Sequence, residues 1–425
     1  MAHEEEHRWE GGLGVRTRHE RRPCAYRAYV PDVLAGRELL LPADLVADLA
    51  DAERAVAALQ DRNLGLASIE AVARLLLRAE SVGSSYIEGL QINARRLAKE
   101  AFAQQAGLPT NDDTARAVLG NIATMGGALE LADKARAVTV DDLCRLHRSL
   151  LAGTRDAHVG GVVRDEQNWV GGVNPCVAEF VPPPPRYVGG LLEDLCEYLS
   201  SDAHAPLVQA AAAHAQFETI HPFADGNGRV GRALIHFVLR RRGLAPHFVP
   251  PVSLILATNA DAYIDGLVAY RHLGPANAPE GSQAAARWIA RFTGDLLRAC
   301  DAAAGFADTL AELERQWRSQ VGRIRANSAV DVLLAALPGI PVLTVETAAT
   351  AIGRSVARTN DAVAVLLAAK VLTQGTVGRR NRVFEASGLL DAITGLERRL
   401  ASPVGDTAIA APSRAVPARR GASPD

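Results

Sequence analysis

The sequence predicts a mostly α-helical protein, and three observations carry that prediction. Alanine and leucine dominate, while Phe, Trp and Tyr together make up 5% of 425 residues, a balance that favours helix over sheet. Apolar residues recur three and four positions apart through most of the chain, the period of a half-buried helix. Glycine and proline crowd into one stretch, 159–187, where that rhythm breaks. A chain of this length exceeds one small core, so two or three domains are expected.

Residues 1–25 are charged and are expected to be loose, and 26–42 read as an extended lead-in ending on Leu39-Leu40-Leu41-Pro42. From 43 to 62, Leu45, Val46, Leu49, Ala52, Val56 and Leu59 follow helical spacing. A second helix covers 68–82 and runs into Ser84-Ser85-Tyr86-Ile87-Glu88-Gly89, and further helices are expected near 93–105, 112–133 and 139–152. The 159–187 stretch reads as a short hairpin, then a rigid extended segment at Pro182 to Pro185, because proline cannot donate to a sheet ladder. Helices return at 186–200, 205–220, 229–242 (stopping at Gly243), 259–269 and 282–304, and a helical connector spans 305–327. Residues 328–395 read as a helix-turn-helix followed by a two-stranded wing, Thr373 to Glu385. The stretch 401–425 is rich in Ala, Pro, Ser and Gly and is expected to be disordered.

Formal net charge is -2, which gives no global pull toward nucleic acid or membrane. Lysine occurs only as Lys99, Lys134 and Lys370, so the basic set is nearly all arginine. Cys24, Cys144, Cys176, Cys196 and Cys300 are scattered, without the close pairs of a zinc or redox motif; free thiols and a reducing, cytoplasmic setting are the expectation. The opening Met1-Ala2-His3-Glu4-Glu5-Glu6 is unlike a secretory signal, and no apolar run approaches bilayer length.

The chemistry concentrates in His221-Pro222-Phe223-Ala224-Asp225-Gly226-Asn227-Gly228-Arg229-Val230-Gly231-Arg232. Pro222 pushes His221 out of helical conformation, so the preceding helix ends there and the imidazole can face a pocket. Gly226-Asn227-Gly228 can take backbone angles that aim successive N–H groups at one point, an anion nest. The helix that follows adds its positive end. Arg229 and Arg232, three apart, can reach one side of its first turn, and their forks suit phosphate oxygens. Asp225 is a hard oxygen ligand for Mg²⁺ that phosphates also hold. A positive site keeps a histidine neutral, the form a general base needs. Taken singly, a histidine beside a proline is a loop residue, Asp-Gly-Asn-Gly a surface turn, and Phe223 a core anchor; two arginines at a helix start call for an anion.

This run resembles the signature of the Fic (Fido-fold) family, H-x-F-x-(D/E)-G-N-G-R-x-x-R, as does the approach Ala213 to Ile220. The resemblance implies a Fido-fold helical core with a small β-hairpin flap and transfer of AMP from ATP to a protein Ser, Thr or Tyr hydroxyl. It makes His221 the base, Asp225 the Mg²⁺ ligand, Gly226 to Gly228 with Asn227 the phosphate cradle, and Arg229 to Arg232, through Val230 and Gly231, the clamp beyond it, with Arg232 nearest the γ-phosphate. Ser84 to Gly89 is similar to the family's inhibitory-helix pattern, (S/T)-x-x-x-E-(G/N): Glu88 is expected to pair with Arg232 in place of the γ-phosphate, with Ser84 in register. The 159–187 stretch resembles the flap, placing Arg164, Gln167 and the turn Val170-Gly171-Gly172-Val173 on the nucleotide side. Tyr263 sits where the family has an adenosine contact. Dimers are common in the family, so a homodimer is a further expectation.

The organisation expected is thus an N-terminal region with the inhibitory helix over 1–110, the catalytic core over 111–304, the connector, and a winged-helix module over 328–395. Arg354, Arg358, Lys370, Arg379, Arg380 and Arg382 against Asp361 make that module locally basic, which suits DNA phosphates. Val356, Ala357, Thr359 and Ala362 are poor base readers, and such modules also serve protein contacts. Two alternatives stay open: a DNA-binding regulator whose core senses nucleotide, and removal of AMP or transfer of another phosphate-containing group by the same site.

Overall fold

The computed structural model describes residues 1–11, 22–61, 69–105, 107, 111–134, 136–377 and 381–401. The N-terminus is not loose where it is described. β1 (His3–Trp9) runs antiparallel to β2 (Cys24–Val30), His3 opposite Val30 and Trp9 opposite Cys24. Its alternating burial is masked in the sequence because both faces carry charge. Arg27 bridges to Glu4 at 3.2 Å, and the Met1 amine to Asp32 at 3.0 Å.

Helices follow as α1 (Ala43–Gln60), α2 (Ile69–Ile87), α3 (Ala94–Gln105), α4 (Asp113–Ala132) and α5 (Val140–Leu151). α6 (Pro185–Ser200), α7 (Pro206–Ile220) and α8 (Asn227–Arg241) come next. Caps match the boundaries: Asp112 accepts from Ala115 N–H, and Thr139 with Asp142 forms a capping box. α7 is buried from Leu207 to Ile220 on every face, which places it at the centre. α8 packs along it, α4 and α5 cover α8, and α1, α6, α10 (Ala260–Tyr270) and α11 (Pro279–Val321) cover α7. α9 (Val252–Thr258) is a helix the sequence reading missed; it follows Pro250-Pro251 and is rich in residues that read as extended. The expected break near 304 is absent: α11 runs 43 residues and buries side chains as far as Trp317. Among the described residues no single helix is long and apolar enough to cross a membrane.

The expected flap hairpin is corrected. A short 3-10 turn (Ala157–Val159) leads into loop, and the one β contact described there is the bridge Val170–Phe180. Consecutive left-handed Gly171 (φ 71) and Gly172 (φ 67) turn the chain, and the Asn174 side chain accepts from the N–H groups of Cys176 and Val177. Side chains thus bind the backbone that a ladder would have used. The free-thiol expectation is also corrected: Cys24 and Cys176 are joined, with Cα atoms 6.3 Å apart, tying β2 to this loop. Their separation of 152 residues left no local signal. Cys144, Cys196 and Cys300 are free and buried.

The C-terminal part contains α12 (Ala329–Ala336), β3 (Val342–Leu343), α13 (Val345–Ile352), α14 (Val356–Ala368), β4 (Thr373–Val377), β5 (Asn381–Glu385) and α15 (Ser387–Ala401). Gly353 (φ 61) joins α13 to α14. The sheet has three strands in the order β3-β5-β4, one more than expected. Thr359 and Ala362 are buried, so two of the four positions considered as base readers face the core. Arg379, Arg380 and the 402–425 stretch lie outside the described residues. This part shares one core with α2: Leu75 and Leu76 cluster with Leu333, Leu389 and Ile393.

Candidate active site

The motif loop sits where α7 hands over to α8. His221 caps α7 in the left-handed region (φ 48, ψ 61), which costs a non-glycine residue energy unless its surroundings impose it. They do. The Arg164 guanidinium donates to the carbonyls of His221 (2.8 Å), Ile220 (3.3 Å), Pro183 (2.6 Å) and Glu166 (3.1 Å), and its own N–H donates to Pro222 O at 2.9 Å. Burial holds this arginine down to about 10. Gln167 donates to the carbonyls of Asn168 and Pro182. Arg164 and Gln167 therefore brace the loop instead of pointing to a ligand.

Asn168 donates through Nδ2 to the carbonyls of His221 (3.2 Å) and Phe223 (3.0 Å), and that atom lies 3.0 Å from His221 Nδ1. Asn227 Nδ2 approaches the same ring nitrogen at 3.2 Å. Two amides thus fix the ring's rotation. Burial, then the nearby Arg164 charge, push the His221 imidazole down to about 4, with Glu88 acting the other way. The ring is neutral at physiological pH.

Asn227 also grips the loop across Phe223: its Oδ1 accepts from Phe223 N–H at 2.9 Å and its Nδ2 donates to Phe223 O at 2.8 Å. The amide is engaged within the loop, so only the backbone of Asn227 is left for the phosphate cradle expected over Gly226 to Gly228. Gly226 (φ 79) is the N-cap of α8, which begins at Asn227, two residues earlier than expected. Val230 is wholly buried and Gly231 lets α8 approach α7, since a Cβ there would lie 2.6 Å from Glu218 Oε1. Both pack α8 against its neighbours. Asp225 keeps a side chain 58% exposed and pairs with Arg229 at 3.1 Å.

At the first turn of α8 a carboxylate is already seated. Glu88 Oε1 lies 2.6 Å from Arg232 Nη2. A Cβ on Gly228 would collide with that same oxygen, so the glycine is what leaves room for an anion above the helix start. Ser84 completes the grip: its hydroxyl accepts from Arg232 Nε at 2.9 Å and its carbonyl from Nη2 at 2.8 Å. Burial works to raise Glu88, but Arg232 outweighs it and holds the carboxyl below its usual value. α2 ends just there because Gly89 (φ 77) turns the chain.

Tyr263 does not offer a ring to adenosine. It is 3% exposed, its hydroxyl lies 2.9 Å from His214 Nε2, and it packs against both His214 and Trp288. Glu218, near Gly231, is pushed up to about 7 by burial. The Val170 to Val173 turn is exposed, Val173 at 49%. Sequence reasoning did not find Asn168, whose position next to Gln167 carries no signal, or His147, which reads as one more buried position of α5.

Two family models match. Residues 46–130 fit the Fic/DOC family N-terminal model and residues 137–239 the Fic/DOC family model. "Protein adenylyltransferase fic-1" of Caenorhabditis briggsae is 35% identical over 129 residues, 30% of this chain and 23% of that protein. The Caenorhabditis elegans protein of the same name is 34% identical over the same shares. The match thus spans 23% of these relatives' length. Among solved structures, the crystal structure of a Fic family protein from Desulfovibrio desulfuricans G20 aligns with a TM-score of 0.49 at 21% identity, covering 82% of this chain and 97% of that one.

Proposed function

As the chain belongs to the Fic/DOC family, we propose that it is a protein adenylyltransferase, transferring AMP from ATP to a Ser, Thr or Tyr hydroxyl and held off by Glu88. Relatives that are protein adenylyltransferases by name support the reaction class. The observation that carries the reading is the Glu88 carboxylate lodged over Gly228 against Arg232: the seat built for an anion is filled by one of the chain's own.

In this reading the triphosphate lies over the first turn of α8, with Arg232 and Arg229 clamping its far end. Neutral His221 takes the proton as the target oxygen bonds to the α-phosphorus. The bond from that phosphorus to the β-phosphate bridging oxygen breaks, and pyrophosphate leaves. Catalysis is then mainly positioning and charge stabilisation. Mg²⁺ would be held by the Asp225 carboxylate and phosphate oxygens, and would neutralise charge on them. That donor set fits: the Asp225 side chain is open to the outside. Among the described residues no cluster of three or more His, Cys, Asp and Glu could hold an ion unaided, so phosphate and water must complete the shell.

We read residues 328–395 as a winged helix-turn-helix with Arg358 exposed at the start of α14, a candidate DNA phosphate contact. A homodimer is part of the proposal, not of the fold; the cytoplasmic expectation rested on free thiols and is not carried into it, because Cys24 and Cys176 are bonded.

The test is intact-mass analysis of the Glu88→Gly protein after ATP and Mg²⁺, beside labelling from the α or γ position. Self-modification rising above the parent, with label only from the α position and none in His221→Ala, is the expected result. Label only from γ, or no gain in Glu88→Gly, would sink the reading.

A further inference from the structure

We propose that His147 is a positioning residue for the anion loop: through the Asp225 carbonyl it sets the peptide that aims the Asp225 carboxylate and the first N–H groups of α8 at one point. The inference deepens the adenylyltransferase reading and rests on it.

His147 stands on α5 and is wholly buried. Its ring lies flat on Phe223, centroids 3.8 Å apart and planes 10° from parallel. Nε2 lies 2.8 Å from Asp225 O, and the Gly161 N–H points at Nδ1 from 2.9 Å. A backbone N–H only donates and a carbonyl only accepts. The neutral ring therefore has one arrangement, Nδ1 accepting from Gly161 and Nε2–H donating to Asp225.

Both ends of this strut meet backbone that has little freedom. Gly161 is left-handed (φ 79), and a Cβ there would lie 2.7 Å from the Cys144 carbonyl. Gly226 is left-handed (φ 79), and a Cβ there would lie 2.7 Å from Leu150 Cδ2 and 3.5 Å from His147 Nε2. The peptide between Asp225 and Gly226 cannot rotate without breaking the Nε2 bond. With its carbonyl turned in to His147, Asp225 presents its carboxylate outward, 58% exposed, and Gly226 caps α8, whose first turn carries the Gly228 position against which Glu88 sits. No other side chain is described as holding that carbonyl. The strut also couples the loop to the Gly161 turn, three residues before the Arg164 brace on His221.

Two substitutions of similar bulk separate this role from packing. His147→Gln can place an N–H donor where Nε2 stands but loses the stacking. His147→Leu loses both. Each is made in the Glu88→Gly protein, which presents the open seat. We expect His147→Leu to weaken calorimetric Mg–ATP binding by roughly 10–100-fold and to raise the half-saturating Mg²⁺ concentration for self-modification more than it lowers the maximal rate. His147→Gln should recover most of both, although the two variants melt alike. In the absence of nucleotide, amide hydrogen exchange over 222–232 should be faster in His147→Leu than in His147→Gln. Equal binding and equal exchange in the two variants, tracking their melting temperatures, would overturn the positioning role. If the Glu88→Gly parent binds no Mg–ATP, the adenylyltransferase reading falls by itself. The exchange comparison then still decides whether His147 holds the loop: faster exchange in Leu at equal melting supports it, and equal exchange overturns it.

Discussion

At the scale of single residues, the chemistry of the loop was legible because its reasons are local. Pro222 ends α7, two glycines permit the turn, and charged residues at a helix start announce an anion. The errors arose where a side chain's partner, near or far along the chain, could not be read from residue type and spacing. Asn227 is engaged with Phe223, and Tyr263 is buried against His214; neither contact leaves a trace in spacing. The His221 environment makes a prediction of its own. Burial and Arg164 bring the imidazole to about 4, and Glu88 opposes them, so removing Glu88 takes it lower still. A group depressed from 6.5 binds its proton in the unfolded chain before it does so in the folded one. Its contribution to stability is complete above 6.5 and is lost as pH falls from there toward 4. In the proposed reaction, His221 then stays unprotonated and able to act as base across the neutral range. In Glu88→Gly, kcat/KM should therefore show no descending limb near pH 6.5 on acidification. A limb at that pH would mean an unperturbed imidazole and would reject the buried, Arg164-braced geometry. His221→Ala should lower the rate by roughly 10²–10⁴-fold.

At the scale of elements, helical periodicity placed most helices before residue 304 to within a few residues, since most have one apolar face over a shared core. It failed where burial is complete or composition misleads, as at α9, and where polar side chains took over from a ladder, as at the Val170 turn. α2 shows what an element adds to a motif. Besides the Ser84 and Glu88 contacts, its Glu80 carboxylate accepts from Ser253 N–H at 2.7 Å and lies 2.9 Å from His236 Nε2, one turn beyond Arg232 on α8. Asn121 of α4 donates to Ser81 O at 2.9 Å and to Ser85 Oγ at 3.1 Å. The helix is thus held along its length, and the carboxylate proposed as the brake stands at its last turn. Ser84→Ala should leave Arg232 Nε buried without its acceptor and cost about 1.5–3 kcal/mol in urea denaturation. Because Glu88 and the Ser84 carbonyl remain, self-modification should rise less than in Glu88→Gly. A variant as active as Glu88→Gly would show that the hydroxyl, not the carboxylate, is the brake.

At the scale of the whole molecule, the residues past 328 do not stand apart on a connector. α11 continues through the expected boundary, and α15, the short turn Leu337–Gly339 and β3 close over α2 and α3. Glu385 of β5 meets Arg95 at 3.0 Å and Lys99 at 2.9 Å. Two apolar faces hundreds of residues apart can each be recognised in a sequence, but nothing local says that they meet. Within that contact Glu397 of α15 faces Arg78 of α2. Burial pushes the carboxyl up to about 7 from 4.5, against the pull of Arg78. The folded protein therefore keeps a proton that the unfolded chain releases near 4.5. Stability declines as pH rises from 4.5 through 7, by on the order of 3 kcal/mol from this group. Glu397→Gln removes the titration and keeps the shape, and it leaves Arg78 as unpaired as the protonated acid does, so that cost cancels. The variant and the parent should have equal stability near pH 4.5, and the variant should be the more stable at pH 8, as read from urea midpoints at the two pH values. Parallel pH dependence in both proteins would mean that Glu397 is not enclosed between α15 and α2, and the shared core of α2 with the C-terminal helices would lose its polar support.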